Sequence, residues 1–142
     1  MTLPINEEDG GVWTTASLRV FSSVLSTQEI SARLGLPSLA YERGEPVSSR
    51  STQRRAESAW ILNSAEPQAK AIGAQLNWLV QFAEEHRQQI YTLQENCNVD
   101  LLCGFASDSG QASFKLEHHL IARISMLRLD VTLDLYPPET TR

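Results

Sequence analysis

A long amphipathic segment from Glu66 to Glu95 constrains the fold of this chain more than any other stretch. Apolar side chains recur there in steps of three and four residues, which is the spacing of an α-helix with one buried stripe. The stripe consists of Ala69, Ile72, Leu76, Leu79, Ala83, Ile90 and Leu93. The sequence therefore predicts one long helix that packs across a layer built by the shorter elements on either side.

A second apolar side of the same helix includes Trp78 and Phe82, which lie well away from the main stripe at about 100° per residue. A helix that is apolar on two sides is usually covered on both, either by a loop of its own chain or by a second subunit. We predict that Trp78 and Phe82 form a homodimer interface if they remain exposed in the monomer.

The segment before the long helix predicts a strand, a short helix, a long loop and a second strand. Residues 13–22 favour a strand, and Ser26 and Glu29 have the spacing of a capping box that begins a helix. Residues 37–57 show no sustained periodicity and predict a long loop, and residues 57–64 predict the second strand.

The segment after the long helix predicts two strands, a third helix and a final strand. Residues 99–105 alternate, residues 112–115 favour a short return strand, and residues 116–127 have helical spacing. The final strand alternates most clearly of all. Its core-facing row is expected to consist of Leu129, Val131, Leu133 and Leu135.

Together these elements predict a single α+β domain over residues 1–142, with a flexible tail at residues 1–12. We expect a mixed, largely antiparallel sheet of four to five strands, with two short helices and one long helix packed mainly on one face. A strand followed by a short helix recurs in each half, which suggests a pseudo-duplicated βα unit.

The markers of the first half are a helix cap, a glycine stop and a core tryptophan: Leu25, Ser26, Glu29-Ile30, Leu34-Gly35, Pro37, Gly44 and Trp60-Ile61-Leu62. Those of the second half are Gly104-Phe105 and Asp134-Leu135-Tyr136. From about Ala16 to Tyr136 the chain resembles the bacterial domain-of-unknown-function family numbered 4279 (DUF4279). The resemblance implies a small cytoplasmic α+β domain, and it brings no activity, cofactor or catalytic residue with it.

Composition and charge narrow the classes of function. The formal net charge is −5, which argues against nucleic-acid binding because phosphates require a basic face. No apolar run approaches the roughly 20 residues that span a bilayer, and the acidic N-terminus is unlike a secretory signal. We therefore expect a cytoplasmic protein in which Cys97 and Cys103 are reduced thiols.

Candidate catalytic and metal-binding chemistry is sparse. The histidines and cysteines are Cys97, Cys103, His86, His118 and His119, and they lack the close pairing that zinc sites favour. Asp130 and Asp134 share a strand face, but their Cα atoms lie roughly 13 Å apart, which is too wide for a glycosidase pair. No nucleophile elbow, phosphate loop or dinucleotide motif is present. We expect no catalytic residue, metal or cofactor, and we lean against an enzyme.

The predicted loop holds four of the twelve basic residues, at Arg43, Arg50, Arg54 and Arg55, with Tyr41 beside them. A solvated charged loop has this composition, and so does a site for a carboxylate, a phosphate or an acidic partner. The leading hypothesis is a non-catalytic binding module, for example an immunity-type protein that neutralises a partner protein. The alternative is a small-ligand binder or a hydrolase-like enzyme with a pocket under the arginine-rich loop. A deep pocket around these arginines would favour the alternative, and a flat charged surface would favour a protein partner.

Overall fold

The computed structural model of the chain describes residues 12–66 and 71–136. The strands are β1 (Val12–Ser22), β2 (Leu39–Tyr41), β3 (Ser58–Asn63), β4 (Asn98–Ser107) and β5 (Asp130–Tyr136). The helices are α1 (Thr27–Leu34), α2 (Ile72–Glu85), α3 (Arg87–Gln94) and α4 (His118–Met126). The predicted α+β class is confirmed. The predicted tail at residues 1–12 lies outside the described residues apart from Val12, which begins β1.

The strands form one mixed sheet in the order β2-β3-β1-β4-β5. Neighbouring strands are antiparallel except β4 and β5, which run parallel and are connected through α4. Because β1 and β2 are both antiparallel to β3, they point in the same direction. Each half of the chain therefore contains a strand, a helix and a second strand that runs parallel to the first, as a duplicated βα unit would.

The helices cover the sheet face that carries Leu18, Val20, Trp60 and Leu101, which are all fully buried. On this face α2 lies over β1, α1 over β3 and α3 over β4. The predicted stripe of the long helix is buried at every described position: Ile72, Leu76, Leu79, Ala83, Ile90 and Leu93. Burial of a large apolar side chain contributes about 1.5–3 kcal/mol, so this layer supplies most of the cohesion of the domain. None of the helices in the described ranges is long and apolar enough to cross a membrane.

The long helix is not continuous, because it breaks at His86. This residue ends α2 and precedes α3 with φ −115° and ψ 29°, outside the helical region. Its ring Nδ1 lies 2.8 Å from the carbonyl oxygen of Phe82, one turn earlier. The start of the predicted helix, at residues 67–70, lies outside the described residues.

The short helix α1 begins as the sequence predicts. The Ser26 hydroxyl accepts a hydrogen bond from the Glu29 amide at 3.1 Å, and the Glu29 carboxylate accepts one from the Ser26 amide at 3.4 Å. This reciprocal pair is a complete capping box, which satisfies two amides that the first helical turn leaves free.

Two predictions in the connecting segments are wrong. The predicted loop at residues 37–57 contains β2, whose three residues pair with β3 and are too few to display a periodicity. Residues 112–115 form no strand. Phe114 instead stacks on Phe105 with ring centroids 4.0 Å apart, so a side-chain contact rather than strand pairing holds this segment.

The prediction that β5 turns a fully buried apolar row toward the core is also wrong. Leu129, just before the strand, is buried, but Val131, Leu133 and Leu135 are 37%, 60% and 73% exposed. The cause is the position of β5 at the edge of the sheet. The helix α4 packs beside α2, where Arg123 pairs with Glu84, and it leaves this row uncovered.

Candidate partner-binding site

The segment between β2 and β3 folds into a compact turn of chain, residues 42–57, that we call the arginine hairpin. Pro46 and Arg54 form an antiparallel bridge across it. The Gly44 amide donates to the Arg55 carbonyl at 2.9 Å, and the Arg55 amide donates to the Glu45 carbonyl at 2.8 Å. Gly44 has φ +88°, a conformation that glycine adopts without strain. The predicted loop is therefore ordered by its own main-chain hydrogen bonds.

Glu42 anchors the base of the arginine hairpin to the rest of the fold. Its carboxylate accepts hydrogen bonds from the Thr27 hydroxyl, from the Thr27 amide at 3.0 Å and from the Ser58 hydroxyl at 3.2 Å. These donors, the Thr27 hydroxyl first among them, hold the pKa of Glu42 below its ordinary value. The arginine hairpin is thus tied both to the first turn of α1 and to the start of β3.

The four arginines occupy two different environments. The Arg55 guanidinium carbon lies 3.7 Å from the centroid of the Tyr41 ring, in a cation–π contact, and the side chain is only partly exposed. Arg43, Arg50 and Arg54 are exposed. Arg55 and Tyr41 therefore support the hairpin. The other three side chains present their charge to solvent, and Arg54 also donates a hydrogen bond to the Gly44 carbonyl at 3.3 Å.

No ion pair neutralises the arginines of the hairpin in the described residues, and the same holds for Arg33, Lys115 and Arg128. Elsewhere Arg19, Arg87 and Arg123 each lie within 4.0 Å of a carboxylate oxygen. Across residues 12–66 and 71–136, none of the four hairpin arginines forms such an ion pair. The hairpin holds four arginines against three carboxylates, Glu42, Glu45 and Glu57, so its formal charge is slightly positive in a chain with a net charge of −5. Guanidinium groups in this state are suited to carboxylates or phosphates.

Trp78 and Phe82, the predicted dimer residues, form an aromatic column with His86 along one side of α2. The rings of Trp78 and Phe82 have centroids 6.4 Å apart, and those of Phe82 and His86 lie 4.2 Å apart. Phe82 also stacks over the buried Trp60 at 6.4 Å. Both residues are half-buried and pack against the core within the monomer, Phe82 directly on Trp60. A dimer through this column stays a prediction.

A cavity of about 680 Å³ lies at the opposite end of β1 from the arginine hairpin. It is bordered by the start of β1, the first turns of α2, the segment around Phe114 and the start of α4. Its ionisable lining side chains are Lys115, Glu117, His119 and Arg123. None of the four hairpin arginines lines it, so it is distinct from the predicted pocket under the arginine-rich loop.

Comparison with known families gives one match. The family profile described as "Domain of unknown function (DUF4279)" matches residues 13–138, which is nearly the whole chain. The chain belongs to the DUF4279 family. No curated protein and no solved structure shows significant similarity to it. The DUF4279 match includes the arginine hairpin, the aromatic column and the lining of the cavity except Val12.

The cysteines and histidines of this DUF4279 chain do not converge. In the described ranges no three His, Cys, Asp or Glu side chains come together in a way that would hold a metal ion. Cys103 is buried in β4, and burial raises the pKa of its thiol to about 11, which keeps it protonated and unreactive. His118 and His119 are exposed at the start of α4, where His119 lies 3.1 Å from Glu117.

The predicted carboxylates are likewise dispersed in this DUF4279 chain. Asp130 and Asp134 are exposed on the edge strand β5. Asp100 lies beside Asp130 in the sheet register, but its carboxylate is occupied by Arg19 and by the Thr132 hydroxyl. The contacts of Asp100 therefore connect β1, β4 and β5.

Sequence reasoning missed Glu42, the residue that orients the candidate site. Glutamate is common in loops, and its three donors come from Thr27 and Ser58, which are 15 and 16 positions away. The one available signal was that Glu42 directly precedes the first arginine of the cluster. This adjacency does not indicate that Glu42 is an anchor unless the pairing of β2 with β3 is already known.

Proposed function

We propose that this DUF4279 domain is a non-catalytic protein-binding module of the bacterial cytoplasm. Its arginine hairpin binds carboxylates on an acidic partner protein. The observation that carries the proposal is the ordered hairpin with exposed Arg43, Arg50 and Arg54, which have no carboxylate partner in the described part of the chain. An immunity-type role, in which the domain neutralises a partner toxin, is one form of this function.

The order of the hairpin favours binding. A preformed surface loses less conformational entropy on association than a loop that must fold onto its partner. The main-chain bonds at Gly44 and Arg55 and the anchor at Glu42 supply that order before any partner arrives. Exposed guanidinium groups then accelerate association with an acidic surface and select against basic ones.

The proposal is tested by affinity purification from the source bacterium, comparing the wild-type chain with the charge-reversal variant R43E/R50E/R54E. A matched control, R33E/K115E/R128E, makes the same change in net charge at exposed sites outside the hairpin. We expect the wild type and the control to capture the same acidic protein. The hairpin variant should fail to capture it. Capture by all three chains, or no specific capture by the wild type, would contradict the proposal. Circular dichroism of each variant verifies that it is folded.

The immunity-type role leads to a separate expectation about the captured protein. Expressed alone in a bacterial host, that protein should arrest growth, and co-expression of the wild-type domain should restore it. Co-expression of R43E/R50E/R54E should not. If the captured protein is harmless when expressed alone, the immunity role is wrong, whereas the protein-binding function still stands.

The cavity of about 680 Å³ favours a second candidate function, the binding of a small ligand. Its volume lies within the range of small-molecule sites, and it combines the apolar ring of Phe114 with charged groups at its border. The test is a thermal-shift screen of small carboxylates and phosphates with the wild type and with Ala74→Trp, which fills the cavity from an exposed helical position. A stabilising compound whose effect Ala74→Trp abolishes would support this candidate.

A further inference from the structure

The strand β5 leaves one edge of the sheet unpaired. It is the last strand in the order β2-β3-β1-β4-β5, and in the described residues its outer main-chain groups have no strand partner. Proteins usually protect such an edge with a proline, a bulge, an inward-pointing charge or a covering helix. The seven residues of β5 contain no proline and pair regularly with β4 from end to end.

The exposed apolar row of β5 lies along the same edge. Val131, Leu133 and Leu135 point to the helical face of the sheet, as their partners Leu101, Cys103 and Phe105 do. A row of apolar side chains beside free hydrogen-bonding groups is a surface suited to strand addition.

We propose that β5 pairs antiparallel with β5 of a second copy of this chain, about a two-fold axis at Leu133. Leu133 is the central residue of the strand, so this register pairs all seven residues of each copy. The pairing joins two five-stranded sheets into one continuous sheet of ten strands.

The charges of β5 select this register over its neighbours. Side chains alternate between faces, so only shifts of two residues keep the apolar rows of both copies on one face. With the axis at Leu133, Asp134 faces Thr132 and Asp130 faces Tyr136 of the second copy. An axis at Thr132 would place Asp130 opposite Asp134, and an axis at Asp134 would place two copies of Asp134 opposite each other. Like charges directly opposite in a sheet are unfavourable, so the axis at Leu133 is preferred.

The dimer would display two binding sites. The arginine hairpin adjoins β2, which is at the opposite edge of the sheet from β5. In the ten-stranded sheet the two hairpins therefore lie at the two outer ends and stay accessible. The inference is independent of the proposed function, because β5 contributes no residue to the arginine hairpin.

Sedimentation equilibrium over micromolar to submillimolar concentrations tests the dimer. We expect the full wild-type chain to approach twice its mass of 15.8 kDa. Leu133→Arg should weaken the dimer at least about tenfold, because it places two like charges against each other at the axis. The control is Leu36→Arg, which makes the same change at a residue that is 87% exposed and remote from β5. A wild type that remains monomeric, or a dimer that Leu133→Arg leaves intact, would overturn the proposal.

Cysteine cross-linking tests the register. In a Cys97→Ser background, which removes the partly exposed native thiol, Leu133→Cys should form a disulfide-linked dimer on mild oxidation. Val131→Cys alone should not, because it faces Leu135 of the second copy, whereas Val131→Cys combined with Leu135→Cys should. Equal cross-linking by the two single variants would overturn the register.

The aromatic column is tested in the same experiment. If Trp78→Ser abolishes the dimer while Leu133→Arg leaves it intact, the interface is the column on α2 and the β5 proposal is wrong. Neither result bears on capture of an acidic partner by the arginine hairpin, so failure of the dimer and failure of the proposed function are distinguishable.

Discussion

Arg19 and Asp100 lie opposite each other on β1 and β4 and form a two-point ion pair in the centre of the sheet. The Arg19 Nε donates to Asp100 Oδ1 at 2.8 Å, and Nη2 donates to Oδ2 at 2.6 Å. The side chains are only 20% and 16% exposed. The Thr132 hydroxyl also donates to Asp100 at 2.7 Å, so a single carboxylate connects three strands.

Removal of one partner of this ion pair should lower the free energy of unfolding more than removal of both. Asp100→Ala should lower the free energy of unfolding by about 2 kcal/mol, because it leaves the Arg19 charge partly buried without a counter-ion. The double variant Arg19→Met with Asp100→Ala should recover part of that loss. Urea unfolding of the wild type, both single variants and the double variant measures the coupling energy. Additive losses would mean that the two residues do not stabilise each other.

Gly104 in β4 occupies a position where the sheet tolerates no side chain. A Cβ atom there would lie 2.8 Å from Thr15 Cγ2 and 3.2 Å from Tyr136 Cε2. Gly104→Ala should therefore lower the free energy of unfolding by about 1–3 kcal/mol through overpacking. Adding Thr15→Ser, which removes the clashing methyl group, should restore part of the stability.

Gly73 in α2 provides the matched control for Gly104. A Cβ at Gly73 meets no atom within 4 Å, and the residue lies in a helix. Gly73→Ala should stabilise the domain by roughly 0.5–1 kcal/mol, because alanine loses less backbone entropy than glycine in a helix. If urea unfolding shows that both alanine variants change the free energy of unfolding in the same direction, the close approach at Gly104 does not control stability.

The ion pair between Glu84 and Arg123 connects α2 to α4 and should make stability depend on acid pH. Hydrogen bonds from Arg123, reinforced by its charge and that of Arg87, hold the pKa of Glu84 below its ordinary value of 4.5. A carboxyl whose pKa is lower in the folded state stabilises the fold above its unfolded pKa. That contribution is lost as the pH falls through the folded value.

The measurement for this pair is the free energy of unfolding against pH. Glu84→Gln should be less stable than the wild type by roughly 1 kcal/mol at pH 7, and the two curves should converge below pH 4.5. Glu85→Gln makes the same change in charge at the exposed neighbouring position, without an ion pair to Arg123, and should be within about 0.5 kcal/mol of the wild type at pH 7. A constant difference between wild type and Glu84→Gln at every pH would contradict the assignment.

Most of the fold could be predicted from local patterns. The capping box at Ser26, the buried stripe of the long helix and the alternation of the main strands all derive from spacing within a short stretch of chain. Such signals report which face of an element is apolar. They identified α1, the stripe of α2 and α3, and the α+β class.

The parts that could not be predicted depend on pairing between distant segments. The three residues of β2 acquire strand structure only because β3 pairs with them. The row of Leu133 and Leu135 has the pattern of a buried strand, and alternation does not distinguish a central strand from an edge. Likewise the four arginines signalled a cationic surface, but the Glu42 anchor that orients it depends on contacts with α1 and β3.

The most direct test of the binding function is calorimetric titration of the purified captured partner with the wild-type domain, R43E/R50E/R54E and the control R33E/K115E/R128E. We predict that the hairpin variant binds at least about 100-fold more weakly, that the control stays within about threefold of the wild type, and that wild-type affinity falls with added salt. Equal affinities for the wild type and the hairpin variant, or an affinity that salt leaves unchanged, would contradict the claim that the arginine hairpin binds an acidic partner.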